Sequence, residues 1–250
     1  MSDHSALRFE QVGHAFLGRS LFENFDLGIA PGETVALLGP SGSGKTTILQ
    51  IAAGIIDPVR GRVHRRYRRQ GLVFQEPRLL PWMTLIDNIA YGLAAAGMPK
   101  RQRRETAARF ALEVGLEETD FRKYPVELSG GMRQRAGVAR ALAVEPDMLF
   151  LDEPFSAVDV GLRRHLQELL VAAAGRRGFS TLLVTHDLHE ALLVADRLIV
   201  LSGVGGRVIA AHRPAGSPGH RMARAVFDEA ERLAETEAFA ELFSAKERGR

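Results

Sequence analysis

Apolar residues along this chain gather in short, β-branched runs at 7–12, 33–38, 147–152, 180–184 and 197–201, with helically spaced segments between them. Runs of this length suit buried strands, and their alternation with helices predicts an α/β core with a largely parallel sheet. From about 78 to 140 the pattern reads almost entirely as helix: 87–98 is alanine-rich, 101–114 is amphipathic, and another helix begins near Ala136. This predicts a helical subdomain inserted into the core. Residues 60–69 hold Arg60, Arg62, Arg65, Arg66, Arg68 and Arg69, and read as a basic hairpin with a solvated face. Contact with anionic headgroups or a partner is the alternative. Residues 220–250 read as one or two charged helices. The expected organisation is one domain over 1–250: an α/β core from 7–77 and 141–210, a helical subdomain at 78–140 and a C-terminal helical extension at 211–250.

The strand at 33–38 runs into Gly39-Pro40-Ser41-Gly42-Ser43-Gly44-Lys45-Thr46-Thr47, and an apolar helical pattern follows. Strand, glycine-rich loop and helix is the context that the phosphate-binding motif G-x-x-x-x-G-K-[ST] requires. Glycines let successive backbone amides turn towards phosphates, and the helix N-terminus adds partial positive charge. Lys45 is placed to reach the β- and γ-phosphates of ATP, and the Thr46 hydroxyl to bind Mg²⁺. The competing reading is a glycine-rich turn with a solvated lysine.

The run at 148–151 ends in Asp152-Glu153-Pro154. Neighbouring residues on a strand point opposite ways, so the two acids take different tasks. Asp152 is the candidate for holding Mg²⁺, directly or through water, and Glu153 for polarising the attacking water. The strand at 181–185 ends at His186, a structural cap or, if this strand lies beside that of Asp152, a candidate γ-phosphate contact.

Between the phosphate loop and the run at 148–151 lies Leu128-Ser129-Gly130-Gly131-Met132-Arg133-Gln134-Arg135, ahead of a helix. With the phosphate loop, Gln75, Leu151-Asp152-Glu153-Pro154, Ser156-Ala157-Val158-Asp159 and His186 in that order, the chain resembles the ABC ATPase family over about residues 7–210. The wording of 74–89 is similar to that of importer ATPases for nitrate, sulfonates, taurine or thiamine-precursor pyrimidines. The resemblance implies a P-loop NTPase core with an antiparallel β subdomain and the inserted helical subdomain. It implies that two subunits meet head to tail, with Ser129, Gly130 and Gly131 of one covering the ATP on the other's phosphate loop. It assigns Asp159 to that interface, Gln75 to Mg²⁺ contact and coupling, and the adenine to an aromatic face at Phe16, where tyrosine is more usual. Valine at 158 in place of leucine is a conservative departure.

Composition narrows the function. Of the 33 basic residues only Lys45, Lys100, Lys123 and Lys246 are lysines; a bulkier arginine fork suits a phosphate cradle less well, which accounts for the lysine at 45. A net charge of +3 is too small to call for a polyanionic partner, so none of nucleic acid is expected. There is no cysteine, hence no disulfide framework and no thiolate site. The first residues lack the apolar core of a signal peptide, and no stretch approaches the roughly 18 apolar residues of a membrane span. A transport role therefore needs an integral membrane permease as anchor, at the cytoplasmic face of the inner membrane. The other expected partners are a second ATPase subunit, most simply a copy of this chain, and indirectly a periplasmic solute-binding protein. Segment 74–89 holds the one tryptophan, Trp82, beside Leu79, Leu80, Pro81 and Met83. It reads either as a core cluster under a loop or as a groove for a short helix of the permease. The alternatives are a soluble ABC ATPase, a P-loop kinase and the ATPase of an exporter.

Overall fold

Each apolar run of the sequence becomes a buried strand. The computed structural model describes residues 5–16, 18–203 and 205–239. In chain order β1 (Leu7–Phe16), β2 (Arg19–Ile29), β3 (Thr34–Leu38), α1 (Lys45–Ala52) and β4 (Arg60–Arg65) come first. Next are β5 (Gln70–Val73), α2 (Leu85–Ala95), α3 (Lys100–Glu113), α4 (Gly130–Ala143), β6 (Met148–Asp152) and α5 (Val160–Arg177). Then follow β7 (Ser180–Val184), α6 (Leu188–Val194), β8 (Arg197–Leu201), β9 (Val208–His212) and α7 (Ala223–Ala234). The chain forms two compact units, one from Met1–Tyr67 and Val171–Arg250, the other from Arg68–Leu170.

In the first unit β2, β1 and β4 make an antiparallel sheet. Leu7, Phe9 and Val12 are buried with Phe22, Phe25, Leu27 and Ile29, and the period-two alternation is broken between Phe9 and Val12, where the register shifts. Phe9 and Phe25 meet edge to face at 5.3 Å. The same unit pairs β3 in parallel with both β7 and β8, and β9 closes antiparallel on β8. All five residues of β3 and of β7 are buried, which is why these strands show no polar alternation. Glu33, just before β3, accepts bonds from the Ala30 amide (3.0 Å), Arg197 of β8 (2.9 Å) and Arg213 (3.2 Å). Burial alone would raise its pKa; the Arg197 bond, the Ala30 amide and Arg213 outweigh that and hold it below the ordinary glutamate value.

In the second unit β5 pairs in parallel with β6, and α2, α3 and α4 pack on one another. Ala107, Phe110 and Ala111 form the buried stripe of α3, and α4 buries Ala136, Val138, Ala139 and Leu142. Asn88 of α2 is fully buried and bonded throughout. Its Oδ1 accepts from the Leu80 amide (2.7 Å), and its Nδ2 is 3.1 Å from the carbonyls of Leu80, Met83 and Thr84.

Two expectations need correction. Residues 60–69 are not a hairpin. β4 pairs with β1, whereas the Arg68 and Arg69 amides donate to Asp147, each at 3.0 Å, as the chain enters β5 beside β6. Nor is 78–140 almost entirely helix: 78–84 is irregular, and 115–129 holds only two short 3₁₀ turns. Pro81 and Pro125 remove amide donors in those stretches. Within 220–250 the helix α7 forms as read, and the portion from 240 onward lies outside the described residues, as do the first four.

Candidate functional site

In the first unit the phosphate loop leaves the buried end of β3 and opens α1. Gly42 and Gly44 stand at φ +83° and +89°, where a side chain would be strained. A Cβ on Gly44 would also press the Phe22 ring at 3.1 Å, while one on Gly42 would meet open space. The loop is thus packed from below and open above. No side chain caps the N-terminus of α1, in contrast to Thr84 on α2, Ser129 on α4 and Asp187 on α6. Such a helix start is one that phosphate oxygens cap. Lys45 Nζ donates to the carbonyls of Gly39 (2.7 Å) and Pro40 (2.8 Å), so its charge is held within the loop. Pro40, Ser41, Ser43, Thr46 and Thr47 complete the turn and the first residues of α1. Phe16 ends β1 with 65% of its surface exposed, so it is no part of the core.

His186 follows β7 and is exposed. Its neighbours are tightly held. Thr185 Oγ1 donates to Glu190 Oε2 at 2.8 Å and accepts from the Asp187 amide at 3.1 Å. The Asp187 carboxylate caps α6 by accepting from the amides of His189 and Glu190. The imidazole is thereby carried between two anchored residues.

In the second unit Asp152 is buried at the end of β6, and Glu153 turns out of the strand at φ +45°. A non-glycine residue in the left-handed region costs of order 1–3 kcal/mol, and such strain concentrates where geometry is functional. Gln75 Nε2 donates to Glu153 Oε2 at 3.3 Å, bringing together two residues that the sequence places 78 positions apart. Ser129 accepts from the Met132 amide at 3.2 Å, and Gly130 and Gly131 begin α4. Asp159 caps the start of α5 by accepting from the Leu162 amide at 3.1 Å. Among the described residues no three His, Asp or Glu side chains cluster as a metal cage. A hard divalent cation here would take most of its oxygens from phosphates and water, as Mg²⁺ does in nucleotide sites.

Trp82 is 70% exposed and not a core residue. With Tyr91, Tyr124, Ala90 and Ala94 it lines a groove of about 380 Å³ rimmed by Lys100, Arg103 and Arg104. Sequence reasoning passed over Asn88, which bonds the backbone of Met83 and Thr84 at the groove, and Arg140. Asn88 carried a signal, a polar residue inside an apolar helical pattern; Arg140 carried none.

The ABC transporter family profile matches residues 22–156. The taurine import ATP-binding protein TauB of Escherichia coli (strain K12) is 42% identical over 209 residues, which cover 80% of this chain and 82% of that protein. TauB of Pseudomonas aeruginosa (strain UCBPP-PA14) is 43% identical over 211 residues, 82% of this chain and 79% of that one. Among solved structures, the dimeric ATP-binding cassette MJ0796 in a post-hydrolysis state with ADP and Pi superposes with a TM-score of 0.79 at 30% identity. That match covers 84% of this chain and 99% of the cassette. The family profile over more than half of the chain and relatives of this similarity agree with the strand-to-helix phosphate loop, and the protein belongs to the ABC transporter family as an ATP-hydrolysing subunit.

Proposed function

We propose that this chain powers import of a small sulfonate-type solute, taurine being the first candidate, from the cytoplasmic face of a membrane permease. The observation that carries the solute class is 40–43% identity, across four-fifths of the chain, to proteins named for taurine import. Thr46, Gln75 and Asp152 hold Mg²⁺ on the ATP phosphates, Lys45 neutralises the β- and γ-phosphates, and Phe16 stacks on the adenine. Glu153 polarises the attacking water and His186 contacts the γ-phosphate. Ser129, Gly130 and Gly131 donate to the ATP of a second copy, with Asp159 beside them. ATP thereby favours the closed dimer, because only that state contacts it from both sides. The Trp82 groove receives a short permease helix, its aromatic floor taking the apolar face and its arginines an acidic end. No helix among the described residues is long and apolar enough to cross a membrane, so the permease supplies the anchor.

The test is complementation of a strain lacking its taurine import ATP-binding protein, with taurine as the only sulfur source. Growth supports the taurine reading. Absence of growth, from a chain that hydrolyses ATP and co-purifies with the permease, moves the proposal to another solute. A chain recovered with no membrane partner overturns the importer reading altogether.

A further inference from the structure

Residues 74–84 leave β5 as irregular backbone, and that stretch carries both Gln75 and Trp82. Irregular chain of this kind needs outside partners for its carbonyls. Two side chains supply them. Asn88 holds the far end, at Leu80, Met83 and Thr84. Near Gln75 the partner is Arg140, in the last turn of α4. Its guanidinium donates to the carbonyls of Pro77 (2.6 Å) and Arg78 (3.0 Å). One turn earlier on the same helix, Gly137 faces the same proline, at a distance where an added Cβ would make an ordinary contact of 3.6 Å. Arg78 sits at φ +46°, a conformation that costs energy in a non-glycine residue and needs such support. Arg140 makes no ion pair among the described residues; its two bonds go to this backbone, and burial works against its charge.

We infer that Arg140 is a positioning residue for hydrolysis, clamping the backbone at 77–78 so that Gln75 stays within hydrogen-bond reach of Glu153. The inference rests on the reading above that Gln75 and Glu153 serve MgATP. Lysine replaces it only in part, because Arg140 reaches the two carbonyls from two separate nitrogens, Nη1 and Nη2, and lysine has one. The clamp also ties the stretch bearing Gln75 to the helix that Ser129 caps, so a shift of α4 is transmitted to the glutamine.

The experiment is a double-mutant cycle in the full chain with Arg140→Met, Gln75→Ala and both together. It reads kcat, the KM for ATP, the Mg²⁺ concentration giving half-maximal turnover, and the melting temperature. Arg140→Met alone should lower kcat by about tenfold and raise the Mg²⁺ requirement, leaving the KM for ATP within about twofold. In the Gln75→Ala background it should add less than about twofold, because the residue it positions is already gone. Arg140→Lys, able to reach one carbonyl, should fall between wild type and Met, and it carries the test if the Met variant does not fold. An equal loss from the Arg140 change in both backgrounds, or an unchanged Mg²⁺ requirement, overturns the clamp while leaving Gln75 its role. If Gln75→Ala itself changes neither kcat nor the Mg²⁺ requirement, the reading of Gln75 fails and the clamp fails with it.

Discussion

Glu153 combines a left-handed backbone with a carboxylate that accepts from Gln75, and in the proposed mechanism both features serve the polarising of the attacking water. The backbone turns Glu153 out of β6, and the amide of Gln75 holds one of its oxygens. Glu153→Gln preserves shape and hydrogen bonding but cannot take a proton. Turnover should drop ~10²–10⁴-fold with nucleotide binding retained, as read by phosphate release and by equilibrium binding of ATP. A variant that hydrolyses at the normal rate would remove Glu153 from the chemistry. Glu153 stood out as a candidate in the sequence because an apolar run ending in two acids has few other uses. Arg140 was illegible for the opposite reason: its partners are the carbonyls of Pro77 and Arg78, and carbonyls carry no side-chain signature.

At the scale of elements, helix caps separate folding from function. Ser129 is already a structural cap, so Ser129→Ala would confound lost capping, typically ~1 kcal/mol, with lost phosphate contact. Ser129→Asn keeps a cap of equal strength. It should leave the melting temperature unchanged while lowering ATP turnover, and unchanged turnover would reduce Ser129 to a cap. Glu33 gives a prediction of stability alone, since it joins the turn before β3 to β8. Its folded pKa lies below its ordinary 4.5, so its stabilisation is complete above that value and is lost as pH falls through the folded pKa. Glu33→Gln should therefore destabilise by about 1–3 kcal/mol near pH 7, a gap that narrows as the solution is acidified below pH 4.5. Thermal melts of both proteins at the two pH values check it. Strand positions were readable at this scale, and β7 and β8 form over the very residues of the apolar runs at 180–184 and 197–201. The fate of 60–69 was not. A run of arginines says that a surface is wet, but not that β4 will pair with β1, about fifty residues earlier.

For the molecule as a whole, one phosphate loop per chain and a dimeric structural relative point to paired action. ATPase activity should rise more than linearly with protein concentration until dimers saturate, and Glu153→Gln should run as a dimer on sizing in MgATP. Linear activity from a persistent monomer would dismiss the head-to-tail arrangement. Trp82→Ala should cut association with the permease by removing an exposed aromatic anchor, and should leave the basal hydrolysis of the purified chain intact. Loss of both together would place Trp82 in the folding of 74–84 instead.

The exposure of that indole has a practical side. It is the chain's one tryptophan, and it stands in solvent. Excited at the red edge of tyrosine absorption, the native protein emits from a single site at the rim of the proposed docking groove. A helix settling there would shift the emission to the blue and shield it from iodide. The unmodified subunit thus carries its own optical gauge of engagement, and a stopped-flow trace of that emission through a round of ATP hydrolysis would time when its grip on the membrane partner changes.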